Sequence, residues 1–553
     1  MRGWVSLKPF MVILLGGISL GFLAQGAAAR SLGNGKYVPH ELLVKFKPGT
    51  PPYVRQEIHR GVGATVLQRF ARDERLVRVR VPEGADLDSA LAYYSTLADV
   101  QYVQKNLLYH IVETIPTDPS FVQQWGWKNT PTGTNPLADV GATFAWDTAH
   151  GRFSVVVADI DTGVDYTHRD LALNIWTNPG EAGVKCANGI DDDRDGLVDD
   201  CRGWNFYAYS NDPMDDNGHG THTSGTIGAL TDNGLGVAGA NWDVQIMPLK
   251  FMDATGTGST AGAIVALDYA VAHGATISNN SWGTTGFDPA LLEAIKRAEA
   301  AGHLFITAAG NATVPGSYGT NNDVYPFYPC DFTKYDPINN PIPPTNIICV
   351  AAIDSNGDRA GFSNYGPTTV HLGAPGVGIL STYRNQGYTS LSGTSQATPH
   401  VTGGAALLKG CNPSLSSITI KDILLSTVRQ NSDLIGITVT GGVVNYQDAL
   451  DDLRVGACDP GPVSTLPVAN AGGPYNVNIK KPVQFNGTAS HDSGGQILLY
   501  FWDLGDGTYG VGPNPVHLYA TRGTRTVTLT VRNNFGSVAS QSTTVNIRPR
   551  GRN

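Results

Sequence analysis

Between Trp125 and about Asp452, short apolar segments alternate with helical ones, and this alternation restricts the fold more than any other feature. RFSVVVADID, ending at Asp161, is a nearly continuous apolar run, as a strand buried on both faces requires. STAGAIVALDYAVAHG reads as a helix stopping at Gly274, and the strand ATISNNS follows it. DPALLEAIKRAEAAG reads as another, with Asp288 as its cap and Pro289 in its first turn, and HLFITAAGN comes next. Strands alternating with helices predict a parallel sheet wrapped by helices. Ligands of such a sheet sit at the carboxyl ends of the strands. Three polar clusters fall where strands run out: IDTG at 160–163, SWG at 281–283 and AAGN at 308–311.

The flanking regions have other patterns, and 553 residues are too many for one domain. Residues 39–112 read as β-α-β-β-α-β, the split βαβ module, a ferredoxin-like α+β fold. CDPGPVSTLPVANAGGP reads as a linker. Residues 468–548 lack helical period and give alternating strands between turns, the pattern of a small β-sandwich. Residues 1–29 have a basic start, an apolar run and the end Ala27-Ala28-Ala29, which reads as a cleaved secretory signal. No later segment is long and apolar enough to cross a bilayer, so a secreted, extracellular protein with no membrane anchor after signal removal is expected.

Six cysteines lie beyond that signal, and an even count in an exported chain favours disulfides. Cys186 with Cys201, Cys330 with Cys349 and Cys411 with Cys458 is the simplest of the fifteen arrangements. The formal charge is −9 and is unevenly divided: residues 30–115 hold 12 Lys+Arg against 9 Asp+Glu. An acidic body argues against nucleic acid as a partner and suits attraction of the basic N-terminal piece.

Asp161 in ADIDTGVD, His219 in NGHGTHTSGT and Ser395 in LSGTSQATPH stand in that order, each beside glycines. Acyl-bond hydrolysis by serine needs a base for its proton, a carboxylate to hold the base, and donors for the oxyanion. Singly these residues have bland readings, such as a helix N-cap for Ser395. Together, with SWG and AAGN between them, they resemble the subtilisin-like serine proteases over roughly residues 117–455. The resemblance implies that Ser395 is the nucleophile, His219 the general base and Asp161 its orienting carboxylate. It also implies an oxyanion donor in the Asn311 side chain and a structural role for His222. Ser281, Trp282 and Gly283 would be the strand edge along which an extended peptide lies. With Ala308, Ala309 and Gly310 they would wall a specificity pocket small-sided enough for a large apolar side chain. Its floor would fall within NATVPGSYGTNNDVYPFYPC. Gln396 departs from the family, which often has methionine after the serine.

CANGIDDDRDGLVDDC concentrates carboxylates between two cysteines. Its Asp191-x-Asp193-x-Asp195-Gly196 matches the front of an EF-hand loop, but the twelfth position is Arg202 rather than Glu, so it is no EF-hand. Asp191, Asp193, Asp195, Asp199 and Asp200 would nevertheless repel one another without a cation, and hard oxygen ligands select Ca²⁺. Subtilisin-like proteases commonly bind structural calcium, which adds Asp170 and Asp118 as candidates. The N-terminal module looks like the family's inhibitory propeptide, and WDLGDG, with Trp502, Asp503, Gly505, Asp506 and Gly507, resembles a PKD domain. The expected organisation is a signal at 1–29, propeptide at 30–115, peptidase at 116–455, linker at 456–467 and PKD domain at 468–548. The expected protein is a secreted, monomeric, self-maturing endopeptidase of broad specificity, with its own propeptide as inhibitor.

Overall fold

The computed structural model describes residues 37–82, 84–107, 113–129, 138–314, 316–334, 342–452, 454–459 and 466–549. The signal segment, residues 108–112 and part of the linker lie outside these. The chain forms two compact units, divided after residue 111.

In the first unit, strands Tyr37–Phe46, Thr65–Phe70, Asp73–Arg80 and Val100–Leu107 form one antiparallel sheet, with helices Pro52–Arg60 and Leu87–Thr96. The first strand of the chain lies between the third and the fourth, and the second strand is at the edge. Leu42, Val44 and Phe46 alternate with outward residues and meet Val77, Val79 and Tyr94 in the core, following the two-residue period of a strand. Asp86 caps the second helix by accepting from the amides of Asp88 and Ser89.

The second unit is built on a nine-stranded sheet. Its middle strands, in spatial order, are Leu372–Pro375, Ile347–Ile353, Leu304–Ala308, Ile277–Asn280, Gly151–Asp161 and Asp243–Lys250, all parallel. Among the described residues the one antiparallel pairing in this sheet is at its edge, between Arg429–Gln430 and Gly442–Val443. Helix Thr394–Cys411 is buried along nearly its whole length, which its small residues permit. A Cβ on Gly403 would stand 2.3 Å from the Ala240 methyl, so that helix approaches its neighbours closely only because a side chain is missing. Asp161 ends one strand, and Ser281 and Asn311 follow two others, so all three lie at the carboxyl edge. Bridges join Cys186 to Cys201, Cys330 to Cys349 and Cys411 to Cys458.

The C-terminal part of this unit packs a five-stranded sheet, including Ile497–Asp503, Gly523–Asn533 and Val538–Arg548, with the short pair Pro482–Gln484 and Val516–Leu518. Trp502 is fully buried among Phe485, Leu529 and Val531, while its neighbour Phe501 stacks on Tyr509. Arg532 ties this sandwich to the nine-stranded portion. Its guanidinium is 2% exposed, lies 3.9 Å from the Phe153 ring and pairs with Asp243. It also donates to the Leu173 carbonyl at 2.7 Å, Asn174 Oδ1 at 2.6 Å and the Gly536 carbonyl at 3.0 Å. A buried guanidinium is tolerated because its donors are satisfied. Among the described residues no helix is long and apolar enough to cross a membrane.

Candidate active site

Asp161 is the last residue of its strand and is 1% exposed. Its two carboxylate oxygens lie 2.8 and 2.9 Å from His219 Nδ1, and it accepts the Thr162 amide at 2.7 Å. His219 opens helix His219–Gly228, with the imidazole 27% exposed at the edge of the sheet. The turn into that helix needs Gly218, whose φ is +111° and whose missing Cβ would lie 2.3 Å from the Tyr383 ring. Burial favours the neutral imidazole, but the Asp161 charge and hydrogen bond outweigh it, raising the His219 pKa to about 9. Behind the pair, Asp159 accepts from Thr223, Ser224 and Asn279, and burial plus the charge of Asp161 push it up to about 7. His222 is wholly buried and holds the Ile379 carbonyl at 2.9 Å; burial lowers it to about 4, so it stays neutral.

Ser395 lies in the first turn of Thr394–Cys411. Its hydroxyl donates to the Ser281 carbonyl at 2.9 Å, and Ser281 Oγ returns a bond to the Ser395 carbonyl at 3.0 Å. Asn279 holds Ser281 Oγ at 3.1 Å. Asn311 Oδ1 accepts from the Thr394 amide and hydroxyl at 3.0 and 3.1 Å, which turns its Nδ2 the other way. A methyl group built on Gly393 would have Asn311 Nδ2 at 3.5 Å and the Ser395 amide nitrogen at 3.6 Å, so these donors border one space. Gln396 is 2% exposed; its Oε1 reaches the same space, and its Nε2 has no hydrogen-bond partner.

The expected wall residues fall into two groups. Ser281, Gly283 and Gly310 present backbone or small side chains at the carboxyl edge, whereas Ala308 and Ala309 are buried in the sheet and its core. The Trp282 indole turns inward, donating to the Ile160 carbonyl at 2.7 Å and packing on Phe251.

The acidic loop splits into two groups of close carboxylates. Glu181, Asp191 and Asp193 offer oxygens within 4.8 Å of one another, and Asp193, Asp195 and Asp200 gather likewise with His273. Asp199 joins neither group: it accepts the Asn188 and Gly189 amides, each at 3.0 Å, and braces the loop. Glu181 is fully buried, with Oε1 held by the Asp192 amide and Oε2 without a donor. Asp118 and Asp170 face each other elsewhere, over the turn at 232–237. Asp118 accepts the Asp232 amide at 2.7 Å, and Asp170 accepts from Asn233 at 2.8 Å and the Val237 amide at 3.0 Å. Burial, then the charge of Asp118, raises Asp170 to about 7. Sequence reasoning missed Glu181 and His273, which lie outside the acidic run. Nothing in the sequence tied either residue to that run: Glu181 precedes it by ten positions, and His273 follows the helix Thr260–Ala272.

The chain is similar to known proteins. The subtilase family model matches residues 153–457, the PKD domain model residues 464–548, and the fervidolysin N-terminal prodomain model residues 24–106. A thermophilic serine proteinase of Bacillus sp. strain AK1 is 32% identical over 375 residues, 68% of this chain and 79% of that protein. Subtilisin DY of Bacillus licheniformis is 34% identical over 281 residues, 51% of this chain and 85% of its own length. A thermostable alkaline protease of Halalkalibacterium halodurans is 40% identical over 213 residues, 38% and 53% of the two chains.

Proposed function

The chain belongs to the subtilase family of serine-type endopeptidases, and on that premise we propose that Asp161, His219, Ser395 and Asn311 carry out peptide-bond hydrolysis. The observation that carries the reading is the carboxylate–imidazole pair of Asp161 and His219 at 2.8 Å, at the same strand edge as Ser395 and Asn311.

In this mechanism the Ser395 hydroxyl leaves the Ser281 carbonyl by rotation about its Cα–Cβ bond, a rearrangement ordinary for a site without substrate. Its oxygen attacks the peptide carbonyl while His219 Nε2 takes the proton. The carbonyl π electrons move onto oxygen, where Asn311 Nδ2 and the Ser395 amide donate to them. Asp161 keeps the proton on Nδ1 and supports the imidazolium. His219 then gives the proton to the leaving amine, an acyl-enzyme remains, and water repeats the steps to release the acid. Main-chain pairing along 281–283 binds extended polypeptide with little regard to side chains, which supports broad specificity.

Residues 30–115 act as an intramolecular inhibitor of the peptidase at 116–455 until self-cleavage, a reading supported by the prodomain match. The signal at 1–29 directs secretion, and a monomer with its PKD domain at 468–548 works outside the cell. The acidic loop fits Ca²⁺: Glu181 Oε2 is a buried acceptor with no donor, and Glu181 groups with the carboxylates of Asp191 and Asp193. Glu181, Asp191 and Asp193 would hold the ion, which neutralises their mutual repulsion and stiffens the loop. A second ion between Asp118 and Asp170 would replace the amide of Asn233.

Casein hydrolysis by the mature protein tests the proposal. Activity abolished in Ser395→Ala and by a serine-directed phosphonylating reagent supports it; a Ser395→Ala protein that still digests casein overturns it.

A further inference from the structure

Segments 281–283 and 308–310 run out of the sheet side by side, and the space between them receives the side chain preceding the cleaved bond in the reading above. In this chain the space has an occupant. A Cβ built on Gly283 would stand 2.3 Å from Phe327 Cε1 and 2.6 Å from Cζ. A Cβ built on Gly310 would stand 2.9 Å from Phe327 Cδ1 and 3.0 Å from Cε1. One edge of a single ring therefore touches both walls, at the two glycines whose missing side chains leave room for it.

The ring is held there by its backbone. Tyr328, next in sequence, exchanges two bonds with Thr284: its amide donates to the Thr284 carbonyl at 2.7 Å, and the Thr284 amide donates to its carbonyl at 2.8 Å. The Phe327 amide donates to Asp331 Oδ2 at 2.6 Å. The Cys330–Cys349 bridge anchors the same short segment to strand Ile347–Ile353. Moving the ring away means breaking its contacts with both walls while these ties hold the chain. The ring is itself half-buried, so its outer face bounds what remains of the pocket.

We infer that Phe327 closes the primary specificity pocket and restricts cleavage to bonds that follow small side chains, glycine, alanine or serine. The inference rests on the acyl-transfer reading and sharpens its substrate class. Polypeptide main chain is still bound with little discrimination, but the residue contributing the scissile carbonyl is selected by size. The open, large-residue pocket expected from the small walls is filled from within, because wall size sets pocket volume only when the floor is empty. In a hydrophobic pocket even one methylene-sized group too many costs about 10–200-fold in kcat/KM.

The test uses a series of otherwise identical tetrapeptide p-nitroanilides ending in Gly, Ala, Leu or Phe, cleaved by mature wild type, Phe327→Gly and Phe327→Val. Each preparation is counted by titration with a phosphonylating reagent, so that only folded enzyme enters the rates. Wild type is expected to favour Ala over Phe by at least about 10²-fold. Phe327→Gly reverses that order, with Phe327→Val in between; either variant suffices if the other is not recovered folded. Wild type preferring Phe or Leu, or both variants keeping the wild-type Ala-to-Phe ratio within twofold, overturns the inference. Failure of the acyl-transfer reading shows itself differently, as cleavage of the same peptides by Ser395→Ala.

Discussion

His219 Nδ1 lies 2.8 Å from Asp161 Oδ1 although the residues are 58 positions apart, and both Asp161 oxygens are within hydrogen-bond reach of that nitrogen. A buried carboxylate placed in this way makes the protonated imidazole easier to keep. Since the base must be neutral to accept the Ser395 proton, kcat/KM rises with pH through the His219 pKa, which Asp161 raises toward about 9. The acid limb of the pH profile therefore falls above the ordinary imidazole value, about 6.5, and the enzyme works best in alkaline solution. Asp161→Asn removes the charge, moves the limb down and lowers kcat by about 10⁴-fold. A wild-type limb at or below the ordinary imidazole value contradicts this.

Asn311→Leu removes one of the two donors that border the space beside Gly393. The expected effect is about 10²–10³-fold in kcat, equivalent to about 2.7–4 kcal/mol, with KM little changed because the donor acts on the transition state. Steady-state kinetics on a peptide substrate decide; a loss confined to KM contradicts the assignment.

Chelation lowers the melting temperature and speeds self-digestion, because Glu181 and its neighbours then repel in a partly buried loop. Glu181→Gln provides the sharper control. If a cation is held there, the variant loses much of the calcium-dependent shift in melting temperature seen by calorimetry. A melting temperature unchanged in excess chelator removes the calcium proposal.

Arg532→Ala leaves the Leu173 carbonyl, Asn174 Oδ1 and Asp243 without a buried partner. Because the Asp243 side chain is 49% exposed, the cost falls below the about 3–5 kcal/mol of a fully buried charge pair. The C-terminal sandwich of the variant unfolds or is clipped at a lower temperature than in the parent, as calorimetry and limited proteolysis will show. Arg532→Lys restores little, since a single ammonium cannot make the same set of bonds. Coincident melting of parent and Arg532→Ala contradicts the role.

Gln396 stands where a thioether would be open to oxidation, and its amide is inert to mild peroxide. Activity survives such treatment, and Gln396→Met becomes sensitive. Rapid inactivation of the parent, reversed by a methionine sulfoxide reductase, contradicts this.

What the sequence disclosed depended on whether the relevant contact is local. Asp161, His219 and Ser395 each sit in a glycine-flanked motif at a strand end or helix start, so their types, order and positions could be read together. Strands such as Gly151–Asp161 were legible for the same reason: their apolar runs are continuous. The bonds between Ser395 and Ser281, 114 residues apart, left no pattern. Asp199 illustrates a different limit. It lies amid the acidic run yet points at backbone amides, while Glu181, ten residues before Asp191, joins the cluster, because side-chain direction in an irregular loop has no period. Phe327 was hidden likewise, since nothing in NNDVYPFYPC says which of its aromatic rings faces the walls. Arg532 resembled any other strand residue until the domain it docks against was in place.

The most direct test of the account is to label the mature protein with a phosphonylating reagent and map the adduct by peptide mass spectrometry. The account predicts one equivalent of label on Ser395, formed in step with loss of peptidase activity, and no such label in His219→Ala. Full inactivation with the label on another residue, or full activity with Ser395 labelled, would contradict it.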